Sequence, residues 1–302
     1  MPARSFVTSD PLCLEPAGQV SVGNRLGEGI VWDSLSESFL WTDIHKRKFY
    51  RLQWPTMRLE QFSLPHRLGS FGLTRLPNLI LAAFEAGFAS YDFERETCEW
   101  ICRPVLPPGV RFNDGRVDRA GRFVAGTMVE DPVAAGSPTA GALFRLETSG
   151  RVTELLSGIG ITNSLCWSPD GSIMYHADST VGALNAYDYG TQCDWRCELS
   201  RAHAPSTPDG ATVDAQGRIW VAMWGGARVA VFAADGTLLD QLPVPVTQPT
   251  CVALGGQELD VLAVTSAHDG LNSVSLAKET AAGDVFFYRT AIQGLEECRV
   301  TV

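Results

Sequence analysis

The sequence predicts an all-β protein, a six-bladed β-propeller with four-stranded blades. One unit recurs six times: a short strand opened by a Gly, Asn or Asp bend, then a turn and an apolar strand. The units begin near Gly29, Gly72, Gly115, Ser164, Gly210 and Cys251, which puts steps of 43, 43, 49, 46 and 41 residues between them. This is the period of a propeller blade. Helical spacing of apolar residues is not sustained anywhere. A pair of β-sandwiches is the alternative, but it does not predict six evenly phased copies.

The stretch from Thr207 to Trp224 shows the unit most clearly. Pro208 and Gly210 flank Asp209, and this context predicts that the Asp209 backbone lies in a bend and outside a strand. The segment Asp214–Gly217 separates two strand-like runs and predicts a hairpin turn.

The same pattern assigns the other strands. The second strands of the six units are predicted at 37–43, 77–85, 121–128, 171–178, 217–224 and 258–265. Third or fourth strands are predicted at 48–52, 88–92, 142–146, 183–187, 229–233 and 284–288. A single repeat cannot fold alone, so we expect one domain over 1–302, with a short N-terminal extension over about 1–20. The Pro-, Ala- and Gly-rich segment from Glu130 to Gly141 is expected to be an irregular loop.

Composition limits the function. The net charge of −10 disfavours nucleic acid or an anionic membrane as a partner, because both require a basic face. No apolar run approaches the roughly 20 residues that cross a bilayer. The segment Met1–Ser21 has no apolar core of a signal peptide, so a cytoplasmic location is expected, and with it eight reduced cysteines. The sequence does not predict the oligomeric state.

The phase of the repeat brings polar residues together. The innermost strand of each blade lines the central channel, so residues just before these strands converge on one mouth. Those positions hold Glu28, Asn113, Asn163 and Asp209, beside Asp114, Ser70 and Thr250. Two carboxylates with amide oxygens suit a hard divalent cation. The alternative interpretation is that each side chain only caps a turn.

The ends of the second strands lie on the same face, because the strands pair antiparallel. They add further candidates to the rim of the mouth. These are Asp43, His45, Glu85, Glu130, Asp131, Asp178, Trp224, His268 and Asp269.

Several motifs give the sequence a specific resemblance. They are Leu26-Gly27-Glu28-Gly29 followed by Trp32, the segment Arg111–Asp118, Gly126-Thr127-Met128, Ile161-Thr162-Asn163 leading to Ser168-Pro169-Asp170-Gly171, and Pro208-Asp209-Gly210. With these motifs the chain resembles the senescence-marker-protein/gluconolactonase/regucalcin family of six-bladed propellers, from about Gly27 to Tyr288.

The resemblance implies a site and an activity. It implies that Glu28, Asn163 and Asp209 bind one divalent metal ion, calcium first, with zinc, manganese and magnesium as alternatives. It also implies that Arg111 contacts the substrate and that Asn113 belongs to the same site. An acidic residue after Gly-Thr-Met touches sugar hydroxyls in some members, and here it is Glu130 or Asp131. The implied reaction is hydrolysis of a sugar lactone to the aldonic acid.

The chain departs from the family pattern in places. Ser164 stands where the family usually has Gly after the metal-binding Asn, and Ile30 follows Gly29 where the family has Pro. If the backbone at residue 164 requires a positive φ, the serine carries strain.

Three functions follow as hypotheses. The first is a metal-dependent lactonase in which Asp209 takes a proton from the attacking water, as a general base. The second is a non-catalytic calcium-binding regulatory propeller. The third is a protein-interaction propeller, whose Gly-His and Trp-Asp signature is absent at the blade ends. Arg111 favours the first over the second, because a metal site alone does not need a guanidinium that faces substrate.

Overall fold

The computed structural model describes Leu12 and residues 14–301. It contains six four-stranded antiparallel sheets, and the predicted six-bladed β-propeller is confirmed. Two short helices, α1 (Pro132–Ala135) and α2 (Ser273–Lys278), interrupt the strands. The segment 130–141, expected to be irregular throughout, contains α1. These are the two helices in the part of the chain that the structure describes. Neither is long and apolar enough to cross a bilayer.

The strands follow one another in blade order. The first twelve are β1 (Leu14–Val20), β2 (Gly27–Asp33), β3 (Ser38–Asp43), β4 (Lys48–Gln53), β5 (Arg58–Ser63), β6 (Leu68–Leu73), β7 (Leu79–Phe84), β8 (Gly87–Asp92), β9 (Thr97–Cys102), β10 (Val110–Val117), β11 (Phe123–Val129) and β12 (Gly141–Leu146). The others are β13 (Val152–Ile159), β14 (Thr162–Trp167), β15 (Ile173–Asp178), β16 (Ala183–Tyr189), β17 (Cys193–Arg201), β18 (Thr207–Val213), β19 (Ile219–Trp224), β20 (Arg228–Phe232), β21 (Leu238–Pro243), β22 (Pro249–Gly255), β23 (Val261–Ser266) and β24 (Val285–Thr290).

The first blade is β2–β5, and the next four follow in sequence as β6–β9, β10–β13, β14–β17 and β18–β21. The sixth blade is made from both ends of the chain, because β1 pairs antiparallel with β24 outside β22 and β23. Part of the stretch predicted as an N-terminal extension is therefore the outer strand of a blade. Residues 1–11 and Cys13 lie outside the described residues, and the seven other cysteines are free.

The core lies between the blades. Six clusters of buried apolar side chains fill the spaces between neighbouring sheets. Alternate residues of a strand point to opposite faces, so Ile30 and Trp32 pack toward the sixth blade whereas Val31 packs toward the second. Each inner strand also contacts its neighbours around the ring. The blades are thus held in fixed positions around the channel.

The inner strands begin two to five residues earlier than predicted, because each contains a bulge. Between Glu28 and Val31, two residues of β2 oppose one of β3, and the inner strands of the other blades show a register shift at the same level. The prediction that Asp209 lies outside a strand is wrong: Asp209 lies within β18, at its bulge. A bulge redirects side chains, and Pro and Gly beside Asp209 are the residues that mark one.

The predicted turn after β18 is present and is fixed by a buried carboxylate. Asp214 accepts hydrogen bonds from the backbone N–H groups of Gln216 and Arg218, at 2.9 and 3.0 Å. Its other oxygen accepts from the Trp220 indole at 2.8 Å and from Nε of Arg218 at 2.6 Å. Asp214 is 0% exposed, so all of these donors lose their partner if it is removed.

We predict that Asp214→Ala lowers the free energy of unfolding by about 3 kcal/mol, because the buried Trp220 indole N–H and two backbone N–H groups of the turn lose their acceptor and Arg218 loses its ion pair. Urea denaturation followed by tryptophan fluorescence measures the change. Asp235→Ala is the matched control, since Asp235 makes a similar turn bond to the Thr237 N–H, at 2.9 Å, on the exposed surface. Equal losses in the two variants would contradict the role given to the buried turn.

Candidate metal centre and substrate cavity

A cavity of about 510 Å³ opens at one mouth of the central channel. It brings together residues from the first, third, fourth, fifth and sixth blades, which are far apart in sequence. Nine of the side chains singled out from the sequence line it: Glu28, His45, Arg111, Asn113, Glu130, Asn163, Asp209, Trp224 and Asp269. The propeller thus gathers these residues around one space.

The Glu28 and Asp209 carboxyl groups both lie in a buried setting near other negative charges. Burial raises the pKa of Glu28, and the nearby Asp114 charge raises it further. Burial likewise raises the pKa of Asp209 well above its usual range, with added repulsion from Glu28 and Asp114. Such a pair is costly to ionise without a compensating positive charge. The arrangement therefore favours a cation between the two groups.

A chain of hydrogen bonds fixes the orientation of the Asn163 amide. Its Nδ2 donates to the Ser179 hydroxyl at 2.9 Å, and that hydroxyl donates to the Pro208 carbonyl at 2.7 Å. On the other side, Nδ2 of Asn113 donates to Oδ1 of Asn163 at 3.3 Å. With its nitrogen held by Ser179, the Asn163 side chain lines the cavity with an oxygen that has a lone pair left for a ligand.

These donors fit a hard divalent cation. Two carboxylates and one amide oxygen are a set that Ca²⁺, Mg²⁺ or Mn²⁺ accepts, with water or substrate oxygens completing the coordination. Among residues 14–301, no three His, Cys, Asp or Glu side chains form a cluster that could hold a metal. A site here therefore depends on the Asn163 amide as well as on the two carboxylates.

Arg111 is buried and bound on several sides. Its Nε donates to Glu130 at 2.6 Å, and its Nη1 donates to the Phe112 carbonyl at 2.9 Å and to Oδ1 of Asn113 at 3.0 Å. Burial lowers the pKa of Arg111, while the bond to Glu130 opposes that shift. The fixed guanidinium holds Asn113 on one side and Glu130 on the other.

Glu130 is shared by two guanidinium groups. Arg67 donates to both of its oxygens, at 2.9 and 3.1 Å. Burial alone would raise the pKa of Glu130, but the hydrogen bonds and charges of Arg111 and Arg67 outweigh it and lower the pKa. Glu130 is thus an anionic hydrogen-bond acceptor at the edge of the cavity.

The structure separates the two acids that the resemblance leaves open. Asp131 is exposed, and its carboxylate caps α1 by accepting from the N–H groups of Val133 and Ala134, both at 3.0 Å. It is not among the residues that line the cavity. An aspartate followed by Pro132 is a common helix start, so the carboxylate is used for capping.

Two of the acidic rim candidates serve the backbone. Asp43 accepts from the N–H groups of Arg25 and Leu26, at 2.8 and 3.2 Å. Asp178 accepts from those of Gly160 and Ile161, at 2.9 and 3.1 Å. Each of these residues is the last residue of a second strand. Its carboxylate binds the backbone that leads into the inner strand of the same blade. For these two residues the turn interpretation describes the structure.

Sequence reasoning missed several residues that shape the site. Ser179 lines the cavity and orients Asn163, and Arg67 neutralises part of the Glu130 charge. Asp114, which the sequence did place at the mouth, accepts from the Leu165 N–H at 3.0 Å and so connects the third blade to the fourth. The position of Ser179 after the end of β15 is the one sequence signal that could have found it. No local sequence motif indicates that Arg67 contacts Glu130.

Deeper in the channel, Arg116 crosses between blades. It donates to the Ala211 carbonyl at 2.6 Å and to the Ile30 carbonyl at 3.3 Å, and it pairs with Glu297 at 3.1 Å. Its charge lowers the pKa of Asp114, against the larger effect of burial, which raises it. The channel beneath the two site carboxylates thus contains a fixed positive charge.

Ser164 is held in a left-handed backbone conformation, with φ of 55°. Gly29, which follows Glu28, has φ of 62°, so the residue after the site side chain has the same conformation in two blades. A side chain in this region costs about 1 kcal/mol relative to Gly. The Ser164 hydroxyl donates to the Asp209 carbonyl, a contact that Gly cannot make.

Two substitutions separate the strain at Ser164 from its hydrogen bond. Ser164→Ala keeps the strain and loses the bond, so we expect the free energy of unfolding to fall by about 1 kcal/mol. Ser164→Gly loses the bond but relieves the strain, so we expect stability within about 0.5 kcal/mol of the parent protein. Urea denaturation of the three proteins measures both effects. An Ala variant as stable as the Gly variant would refute the left-handed assignment.

Comparison with known proteins identifies the family. The sequence matches the family described as SMP-30/Gluconolactonase/LRE-like region over residues 26–268. It is 35% identical to the L-arabinolactonase of Azospirillum brasilense, covering 95% of this chain and 97% of that one. It is 33% identical to the 6-deoxy-6-sulfogluconolactonase of Pseudomonas putida, covering 90% and 94%.

A solved structure shows the same fold. The calcium-binding protein regucalcin from Agrobacterium tumefaciens superposes with a TM-score of 0.86 at 26% identity, covering 97% of this chain and 98% of that one. The family match spans most of the chain, and the named relatives support lactonase activity. The chain belongs to the SMP-30/gluconolactonase/LRE-like family.

Proposed function

We propose that this protein is a metal-dependent lactonase that hydrolyses a sugar lactone to the open aldonic acid. The observation that carries the proposal is the set of buried oxygen ligands in one polar cavity with a fixed arginine. Relatives named as an L-arabinolactonase and a 6-deoxy-6-sulfogluconolactonase support a sugar lactone as the class of substrate.

Glu28, Asn163 and Asp209 would hold one divalent ion, with calcium as the first candidate and zinc, manganese or magnesium as the others. When bound, the ion would supply a Lewis acid to polarise the lactone carbonyl. Asp209 would accept the proton of the attacking water through a carboxylate oxygen. A carboxylate has two oxygens, so binding through one leaves the other for the proton.

The remaining side chains would position the sugar. Arg111 and Asn113 would donate to ring or hydroxyl oxygens, and Glu130 would accept from a hydroxyl. The existing bonds between these three groups restrict their movement before substrate arrives. A rigid polar wall lowers the entropy lost on binding and keeps the carbonyl carbon near Asp209.

A calcium-binding protein without catalytic activity is the second candidate, favoured by the likeness to the Agrobacterium regucalcin. The lactonase explains more of the structure. A cation site alone needs the oxygen ligands but gives no reason for a guanidinium that is 3% exposed and bonded to Glu130 and Asn113 at the cavity wall.

We expect the protein to hydrolyse at least one of gluconolactone, arabinonolactone and xylonolactone. Hydrolysis releases a proton, so a pH indicator follows the reaction. Chelation should abolish turnover, and adding back Ca²⁺, Mn²⁺, Zn²⁺ or Mg²⁺ should restore it. If no lactone is hydrolysed with any of the four ions present, the lactonase proposal fails and the calcium-binding candidate replaces it.

A second prediction concerns Glu28. Glu28→Gln removes one of two ligand charges, so the affinity for a divalent ion should fall by about 100-fold and hydrolysis should fall with it. Isothermal titration calorimetry and the indicator assay measure the two effects, and circular dichroism should show an unchanged fold. Glu154→Gln, on the exposed strand β13, is the matched control. Full activity in Glu28→Gln would remove this residue from the site.

A further inference from the structure

Three further polar side chains, Arg25, His45 and Asp269, line the cavity and come from other blades than Arg111 and Glu130. Arg25 precedes β2, His45 follows β3, and Asp269 follows β23, so the three residues come from the joining region of the sixth and first blades. All three line the cavity. We call them the far wall, and none has a role in the proposed reaction.

Asp269 is the fixed centre of the far wall. Its N–H donates to the Arg25 carbonyl at 3.0 Å, and its own carbonyl accepts from Nε2 of Gln248 at 3.2 Å. The carboxylate accepts from Nε of Arg25 at 2.6 Å. These contacts restrain both the backbone and the side chain, so Asp269 is oriented before a ligand binds.

His45 lies beside Asp269 without bonding to it. The distance from Nε2 of His45 to the nearer carboxylate oxygen is 3.7 Å, beyond hydrogen-bond range. The imidazole is 18% exposed. Burial lowers the pKa of His45, although the Asp269 charge opposes the shift, so the ring is mostly neutral at neutral pH. A neutral imidazole offers one donor and one acceptor.

The chemistry of the far wall suits a hydroxyl group. The Arg25 and Asp269 charges offset each other, which leaves a wall that is polar but close to neutral. A hydroxyl between His45 and Asp269 can donate to the carboxylate and accept from the imidazole, because hydroxyls do both. The cavity of about 510 Å³ also has room for more than a bare lactone ring.

We propose that His45 and Asp269 bind a hydroxyl on the exocyclic chain of the lactone and so determine which lactones the protein prefers. The inference rests on the proposed lactonase function. It assigns the ring and its carbonyl to the side of Glu28 and Arg111, and the exocyclic chain to the far wall. The preferred substrate is then a lactone whose ring carries a hydroxylated side chain.

The test compares two substrates in one assay. D-Galactono-1,4-lactone carries a hydroxylated side chain, whereas L-threonolactone has the same ring and ring hydroxyls without it. The ratio of their kcat/KM values should favour galactonolactone in the parent protein. His45→Ala and Asp269→Asn should each lower this ratio about tenfold, because a buried hydroxyl loses a partner. His45→Gln retains a donor and an acceptor and should lie between.

Two controls keep the interpretation specific. Asp188→Asn removes the charge of an exposed ion pair with Arg196 on another blade and should leave the ratio unchanged. Calorimetric titration with Ca²⁺ should give the same affinity in the His45 variants as in the parent, since the proposed metal ligands are untouched. Thermal denaturation establishes that each variant is folded.

The outcomes separate this inference from the function on which it rests. A lower ratio with unchanged Ca²⁺ affinity supports the far wall as the selectivity element. A parent protein that hydrolyses these lactones, with the same ratio in both His45 variants and in Asp269→Asn, overturns the inference alone. A parent protein that hydrolyses no lactone, in this pair or among the sugar lactones above, overturns both.

Discussion

The site depends on one backbone irregularity that recurs in every blade. Each inner strand has one more residue than its partner at the same level, near the mouth of the channel. In a regular strand, successive side chains point to the two faces of the sheet, which here are the apolar spaces between blades. The bulge breaks this alternation and allows a polar side chain at that level to point into the channel. Glu28, Asn113, Asn163 and Asp209 all lie at or beside such a bulge.

The cost of this arrangement is electrostatic. Burial raises the pKa of both Glu28 and Asp209, the Glu28 charge raises that of Asp209 further, and Asp114 adds to the repulsion on both. The propeller tolerates this because its stability comes from the six apolar clusters between blades. The mouth of the channel can therefore contain neighbouring buried carboxylates, which would destabilise an apolar core. The buried carboxylates of Glu28 and Asp209 lack a compensating positive charge, and a bound cation would supply it.

The sequence predicted the fold well because the repeat has a strong physical signal. Six turns such as the one at Asp214 and six apolar second strands set the blade period. The bulges were not predicted: Asp209, flanked by Pro and Gly, has the local sequence of a bend, and only pairing with β19 shows it to be part of a strand. The role of β1 was also missed, because pairing between Leu14–Val20 and β24 depends on ring closure and leaves no local trace.

The side chains of the site were partly predictable. Phase within the repeat identified Glu28, Asn113, Asn163 and Asp209, and the resemblance added Arg111. Position within the repeat could not show whether Glu130 or Asp131 lines the cavity. The answer depends on a four-residue helix, because Asp131 caps it. Position within the repeat also could not distinguish Asp43 and Asp178, which bind backbone N–H groups, from acids that face the cavity. Ser179 and Arg67 act only through contacts with other side chains.

The central claim is that Glu28, Asn163 and Asp209 share one divalent ion. The most direct measurement is a crystal structure of the protein with Mn²⁺, with the ion located by its anomalous scattering. We expect a single strong peak within about 2.5 Å of an oxygen from each of the three side chains. A peak elsewhere, or none at this mouth with the three oxygens too far apart to meet one ion, would contradict it.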